Sequence, residues 1–388
     1  MKRGTAILPL HGGRAPRWLM DRMIRLAREI IIIIVSDFGS KEVLRRMSDP
    51  FWFQSFGCLL GFDWHSSGVT TTVTAAVKGG ISGIERELDL YVAGGKGARS
   101  RKTPDEIASR GADISVDPED LVYLSRFSAK VDNNAVMDGY QIYLHNFIFT
   151  GDGSWAVVQQ GMNEKCRTAR RYHWLGEAVD DMVSDPQAAI CCDRREGIIT
   201  NLTDGRAKNA REVAARLAVE RPETIVKELT KIKGKAKDND FTLPRRHAVT
   251  ADDIDPKRLY KIFLSTYERR PKDFEALLVS QGVGPKALRA LTLIAEVIYG
   301  AEASFTDPAR FSFAHGGKDG HPYPVDRENY DRSIETLRRA AKLAKVGRTE
   351  KMDALKRLDR FYRTLLENAF KERCHRNFKS EEDKAERD

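Results

Sequence analysis

The sequence predicts an α+β fold: a mixed N-terminal domain whose sheet contains a β-hairpin, followed by an all-α domain. Three observations predict it. Two β-prone runs, Tyr140 to Thr150 and Trp155 to Gln159, are joined by Gly151, Asp152 and Gly153, a composition that reverses a chain between antiparallel strands. Apolar residues recur at helical spacing near the start of the chain and through its final third. Between Lys231 and Asp255 the composition turns polar, with Lys233, Lys235, Lys237, Asp238, Asn239 and Asp240 nearly in a row, as expected of a linker. At roughly 150 residues per domain, 388 residues allow two or three units. The expected organisation is residues 1–200 as an α+β candidate catalytic domain, 201–255 as a helical connector and polar linker, and 256–388 as all-α.

Along the chain, Pro16 to Val35 places Trp18, Leu19, Met23, Ile24, Leu26 and Ala27 at helical spacing between arginines, which predicts an amphipathic helix with a basic outer face. Ser40 to Met47 predicts a second helix. Asp49 to Gln54 reads as an aromatic turn whose rings Phe51, Trp52 and Phe53 enter the core. Val69 to Val77 is rich in Thr and fits either a strand or a helix. Gly94, Gly95 and Gly97 around Lys96 predict a flexible basic loop running on through Arg99, Arg101 and Lys102. Ala207 to Val219 and Pro222 to Lys231 read as helices, and after the linker the chain reads as helix except for a loop at Phe311 to Pro324.

Hydrophobic residues make up 41% and charged residues 31%, which excludes wholesale disorder. The longest aliphatic run, Ile30 to Val35, is far shorter than the roughly 20 residues that span a bilayer, so no membrane is expected. Met1 to Arg17 lacks the apolar core of a secretory signal, and the expected location is cytoplasmic. Lys and Arg outnumber Asp and Glu by 65 to 56, which favours a polyanionic partner. The five cysteines have no CxxC spacing, so neither a zinc ribbon nor a disulfide framework is indicated.

Phe274 to Val279 carries a helical apolar pattern, Gly282, Val283 and Gly284 break it, and Pro285 to Tyr299 resumes it with Leu288, Leu291, Ile294, Ala295 and Ile298 inward. Gly-Val-Gly-Pro-Lys between two helices is the helix-hairpin-helix signature. Glycine lets backbone approach a phosphate, the helix N-terminus supplies positive potential, and Lys286 and Arg289 add charge. Such contacts bind DNA without reading bases. An ordinary helical hairpin, with glycine merely ending one helix, is the alternative.

Much of the chain resembles a prokaryotic family catalogued as domain of unknown function 763. The segments that carry the resemblance are LPLHGGRAPRW (8–18), SDPFWFQSFGCLLGFDWHSS (48–67), SAKVDNNAVMDGYQIY (128–143), VVQQGM (157–162), ARRYHWL (169–175) and FSFAHGGKDGHPYPVDR (311–327). It implies a family and no activity. The hairpin is also similar to that of DNA glycosylases of the endonuclease III superfamily, which implies a Schiff-base nucleophile at Lys286 and a catalytic aspartate at Asp326. Here the interval between them holds an extra segment, Ala303 to Tyr323, and no iron–sulfur cysteine cluster follows.

Phe-Asp-Trp-His-Ser-Ser-Gly at 62–68 sets Asp63 and His65 two residues apart, a spacing that puts both on one face of extended backbone. They are candidates to hold Mg²⁺ or Mn²⁺, or to act on a water as base and orienter. The plainer alternative is a capping Asp63 and a core His65. Lys130, Asp132, Asp138, His145, Gln159 and Gln160 gather on and before the β-hairpin, where nucleases of the restriction-enzyme type present an acid on one strand and an acid or Gln on the other. Asp138 followed by Gln160 resembles that layout in outline, with Met162 where its lysine would stand; Asp132 and Asp138 equally suit turns. Arg170 and Arg171 offer guanidinium to phosphate, Tyr172 and Trp174 offer rings to unpaired bases, and His173 is a candidate general acid. Gly94, Gly95 and Lys96 do not match the phosphate-loop pattern, though Lys96 remains a candidate phosphate contact.

The expected function is therefore DNA binding coupled to metal-dependent phosphodiester cleavage in repair or processing. The expected catalytic residues are Asp63, His65, Asp138, Gln160 and His173, with Asp63, His65 and Asp138 on the metal. The expected nucleic-acid contacts are Gly282, Val283, Gly284, Lys286, Arg289, Arg170, Arg171 and Lys96. Single-stranded or structured DNA is the expected partner, and a homo-oligomer is allowed. A non-catalytic DNA-binding scaffold and a glycosylase or abasic-site lyase are the alternatives.

Overall fold

The computed structural model describes residues 16–62, 67–192, 199–237, 256–309 and 327–363. In chain order the helices are α1 (Arg17–Phe38), α2 (Ser40–Ser48), α3 (Pro50–Leu60), α4 (Gly68–Ile81), α5 (Glu85–Leu88), α6 (Thr103–Ala108), α7 (Pro118–Lys130), α8 (Lys208–Ala218), α9 (Pro222–Lys237), α10 (Pro256–Arg269), α11 (Phe274–Val279), α12 (Pro285–Tyr299) and α13 (Arg327–Leu343). A further helical stretch covers 348–363. The strands are β1 (Tyr91–Lys96), β2 (Val136–Met137), β3 (Gln141–Phe149), β4 (Trp155–Asn163), β5 (Thr168–Leu175), β6 (Ala189–Cys191) and β7 (Thr200–Asn201).

The expected β-hairpin is β3 and β4, paired Phe149 to Trp155 at the turn and Gln141 to Met162 at the open end. It forms the centre of a five-stranded antiparallel sheet ordered β1-β3-β4-β5-β6; β2 and β7 make a separate two-stranded ribbon. Both faces of the larger sheet are covered, so β4 and β5 are buried along nearly their whole length, polar residues included. One face carries Phe147, Phe149, Val157 and Trp174 and packs on α7, α8, α9, α10, α11 and α12. The other carries Ile148, Ala156 and Val158 and packs on α1, α2, α3, α4, α13 and the 348–363 stretch. Helices from the expected C-terminal unit thus lie on both faces of the sheet.

Local chemistry explains where the elements depart from the sequence reading. The aromatic segment after Asp49 is a helix, not a turn. The Asp49 carboxylate accepts from the amides of Phe51 (2.8 Å) and Trp52 (2.9 Å), Pro50 occupies the first turn, and Gly61 ends α3 in the left-handed region. The Thr-rich segment is helix α4, which accommodates its threonines by bonding their hydroxyls back to carbonyls of the preceding turn: Thr72 to Gly68 at 2.7 Å and Thr74 to Thr70 at 2.8 Å. The glycines before Lys96 belong to edge strand β1 and not to a flexible loop. Gly94 lies against Asn146 of β3 with φ +96°, and a Cβ there would sit 2.2 Å from the His145 carbonyl oxygen. Gly97–Lys102 follows as a 3₁₀ turn. The polar linker begins later than expected, since α9 runs through Lys233 and Lys235 to Lys237; residues 238–255 and the expected loop at 311–324 lie outside the described residues.

Candidate nucleic-acid interface and the buried polar layers

α11 and α12 flank the Gly-Val-Gly turn as expected. Asp273 caps α11 by accepting from the Ala276 amide at 2.8 Å. Gly282 turns the chain at φ +84°, whereas Gly284 is extended at φ −139° and a Cβ there would meet nothing within 4 Å. Gly282 therefore serves the turn's conformation, while Gly284 leaves open space above the backbone. Val283 is buried and pins the turn to the core formed by Ala287, Leu288, Leu291 and Ile294. Ile298, expected inward, is 43% exposed at the end of α12. Lys286 is exposed and Arg289 partly so. The Gly284 carbonyl accepts from the amides of Ala287 and Leu288, and α12 has no side-chain cap at Gly284.

The turn is tied to the sheet by the segment after α7. The Lys130 ammonium donates to the Val283 carbonyl at 3.3 Å, and burial lowers its pKa. A π-helical turn, Val131–Ala135, follows and buries Asp132 completely. The Asp132 carboxylate accepts from Gln159, from the Trp174 indole at 2.8 Å and from Gln187 at 2.6 Å. Desolvation pushes its pKa up to about 7 despite those donors. Gln159 also donates to the Ser128 carbonyl at 3.1 Å, so its amide nitrogen faces Asp132 and its oxygen faces His145 Nδ1 at 2.7 Å. That orientation makes Nδ1 of His145 the donor and leaves Nε2 to accept from the Ser125 hydroxyl at 2.9 Å. Burial pushes His145 down to about 4, which keeps the ring neutral. Sequence reasoning missed Ser125 and Gln187, which nothing in local spacing marks.

Asp138 and Arg170 lie on the same side of the sheet. Arg170 is wholly buried, with one guanidinium nitrogen 2.8 Å from Asp138 and a two-pronged contact of 3.0 and 2.7 Å to Asp307. The Tyr172 hydroxyl (2.9 Å) and the Tyr140 amide (2.9 Å) also donate to Asp138. Burial raises the Asp138 pKa and the guanidinium opposes the rise. Against the expectation of an exposed phosphate contact, the Arg170 guanidinium is buried on carboxylates, and the Asp138 carboxylate, expected on a metal, accepts from three protein donors. The cause is two carboxylates and one guanidinium buried together, where each satisfies the others.

Gln160, Arg171 and His173 point to the opposite side, because neighbouring residues of a strand alternate. Arg171 donates to His173 Nε2 at 2.8 Å and stacks over Phe53 at 4.4 Å. With Nε2 accepting, Nδ1 of His173 donates to the Met47 carbonyl at 2.9 Å. Burial and the adjacent cation push its pKa well down, so the expected general acid is a neutral imidazole fixed by two hydrogen bonds. Arg171, like Arg170, is fully buried and does not offer phosphate an exposed guanidinium. Gln160 donates to the Ser67 carbonyl at 3.2 Å. The sheet thus separates Asp138 from Gln160 and His173. Asp63, His65 and Asp326 lie outside the described residues. Lys96 is exposed at the end of β1, 5.7 Å over the Tyr143 ring and on the sheet, not the hairpin.

Among the described residues no group of three or more His, Cys, Asp or Glu could hold a metal ion, and no helix is long and apolar enough to cross a membrane. No curated protein and no solved structure matches the chain. A family model matches residues 4–325, more than half of the chain, including the 128–143 and 169–175 segments that build the two buried layers, so this chain belongs to the family described as Protein of unknown function (DUF763).

Proposed function

We propose that the chain binds DNA through the sugar-phosphate backbone, without sequence preference, at the turn between α11 and α12. The observation that carries this reading is the turn itself. Open space lies above the extended Gly284 backbone at the head of a 15-residue helix, with Lys286 exposed at the helix's second position. An anion there meets helix N-terminal amides and a lysine, which is the chemistry of phosphate binding. The test is Gly284→Val, whose Cβ meets nothing within 4 Å and whose side chain occludes the backbone. Binding of mixed-sequence duplex and single-stranded DNA should weaken for Gly284→Val and for Lys286→Ala with Arg289→Ala, and the salt slope should flatten by about one unit per lost phosphate contact. Unchanged affinity and slope in both would refute the reading.

A second reading, metal-dependent phosphodiester cleavage, is supported by one contact. Gln160 reaches the carbonyl of Ser67, and Asp63 and His65 precede Ser67 by four and two residues in the sequence. In this reading Asp63 and His65 hold Mg²⁺ or Mn²⁺ without Asp138, which lies across the sheet. Incubation with single-stranded, duplex and branched DNA should give cutting with Mn²⁺ or Mg²⁺, none with EDTA, and loss in Asp63→Ala but not in Asp138→Asn at temperatures where both variants are folded. Equal absence of cutting under every condition would remove the reading.

A further inference from the structure

We propose that Lys130, which belongs to neither hairpin helix, is an additional phosphate ligand beside the one held at Gly284. This inference rests on the hairpin reading above. Lys130 ends α7, yet its ammonium is seated on the Val283 carbonyl, in the middle of the turn. That is its one hydrogen bond among the described residues, and no carboxylate there lies within ion-pairing distance of it. An ammonium has three donors, so two remain for a ligand.

The environment argues that the ligand is an anion. Lys130 is half-buried, and burial lowers its pKa. A cation partly withdrawn from water is costly unless an anion or polar acceptors replace the lost hydration. One carbonyl replaces only part of it. The position also suits a strand crossing the hairpin: the carbonyl that holds Lys130 and the Gly284 N–H are the two ends of one peptide unit, and in a trans peptide they point in opposite directions. Lys130 and the Gly284 amide therefore lie on opposite edges of one plane and address neighbouring phosphates. The residues that follow Lys130 are bonded to the sheet. Asp132, two residues on, is fixed by three side-chain donors, and Asn133 accepts from the Ile142 amide at 3.0 Å. Lys130 is thus held at the turn by the sheet.

The test uses the full chain and fluorescently labelled duplex DNA of mixed sequence, titrated across salt. Lys130→Met keeps the aliphatic stem and removes the charge; Lys130→Arg keeps the charge. The expected result is a salt slope shallower by about one unit in Lys130→Met, as in Lys286→Ala, with the slope retained in Lys130→Arg. In wild-type protein, DNA should also protect Lys130 from an amine-acylating reagent, read by mass spectrometry. Where Lys130→Met fails to fold, protection of the wild-type lysine is the deciding readout. A normal slope in Lys130→Met, or equal acylation with and without DNA, overturns the inference while Lys286→Ala still reports on the hairpin. Wild-type slope in Gly284→Val and Lys286→Ala, or no DNA binding by the wild type, overturns the hairpin reading and Lys130 with it.

Discussion

Removing the charge of Arg170 should cost several kcal/mol of stability and leave the electrostatics of DNA binding untouched. In Arg170→Met the carboxylates of Asp138 and Asp307, with side chains 0% and 3% exposed, lose a guanidinium held at 2.8 and 2.7 Å. Breaking a buried ion pair from one side typically costs about 3–5 kcal/mol. A limit follows from protonation: at pH 7 a carboxyl with an ordinary pKa near 4 takes up a proton for about 1.4 kcal/mol per pH unit, so each orphaned carboxylate costs no more than about 4 kcal/mol. The loss should therefore be about 3–5 kcal/mol near neutrality, below the ceiling of about 8 kcal/mol that two carboxylates set, and shrink as the pH falls toward 5, by about 1.4 kcal/mol per unit for each proton taken up. Urea unfolding of wild type and Arg170→Met at several pH values measures this. Asp138→Asn on the Arg170→Met background should recover part of the loss, since an amide need not be neutralised. Unfolding midpoints that coincide with wild type at neutral pH would refute the buried-network argument. A shallower DNA salt slope in folded Arg170→Met would show instead that the guanidinium reaches phosphate.

Two buried groups should shape the pH dependence in opposite senses. His145 has its folded pKa lowered to about 4, so its contribution is complete above the unfolded value near 6.5 and is lost as the pH falls toward 4; His145→Gln should flatten that acid limb, and parallel curves from neutral to acid would refute it. Asp132 has its folded pKa raised to about 7, so the folded state binds the extra proton and stability declines as the pH rises from near 4 to about 7; Asp132→Asn should lose that decline while being less stable overall, because one oxygen replaces two acceptors serving three donors. Borohydride should trap no covalent complex between this protein and DNA containing an abasic site; a strong adduct abolished by Lys286→Ala would make Lys286 a Schiff-base nucleophile.

Much of the architecture is decided locally and can be read from the chain. The β3–β4 hairpin follows from two β-prone runs about a Gly-Asp-Gly turn, α1 and α12 from apolar spacing, and the reversal between α11 and α12 from glycine and proline chemistry. The Asp-Pro start of α3 was equally local, since a capping carboxylate followed by proline favours a helix even before a run of rings. What the chain alone leaves open is the destination of side chains whose partners are remote. Arg170 and Arg171 are adjacent in a basic, aromatic segment and read as a surface for phosphate, yet strand alternation sends them to opposite faces of a sheet covered on both sides. There Arg170 meets Asp307, 137 residues away, and Arg171 stacks on Phe53. Asp138, Gln160 and His173 are divided for the same reason. Period-two geometry fixes that two neighbours diverge, but only the tertiary packing decides that neither side is solvent, and hence that these charges neutralise one another within the protein.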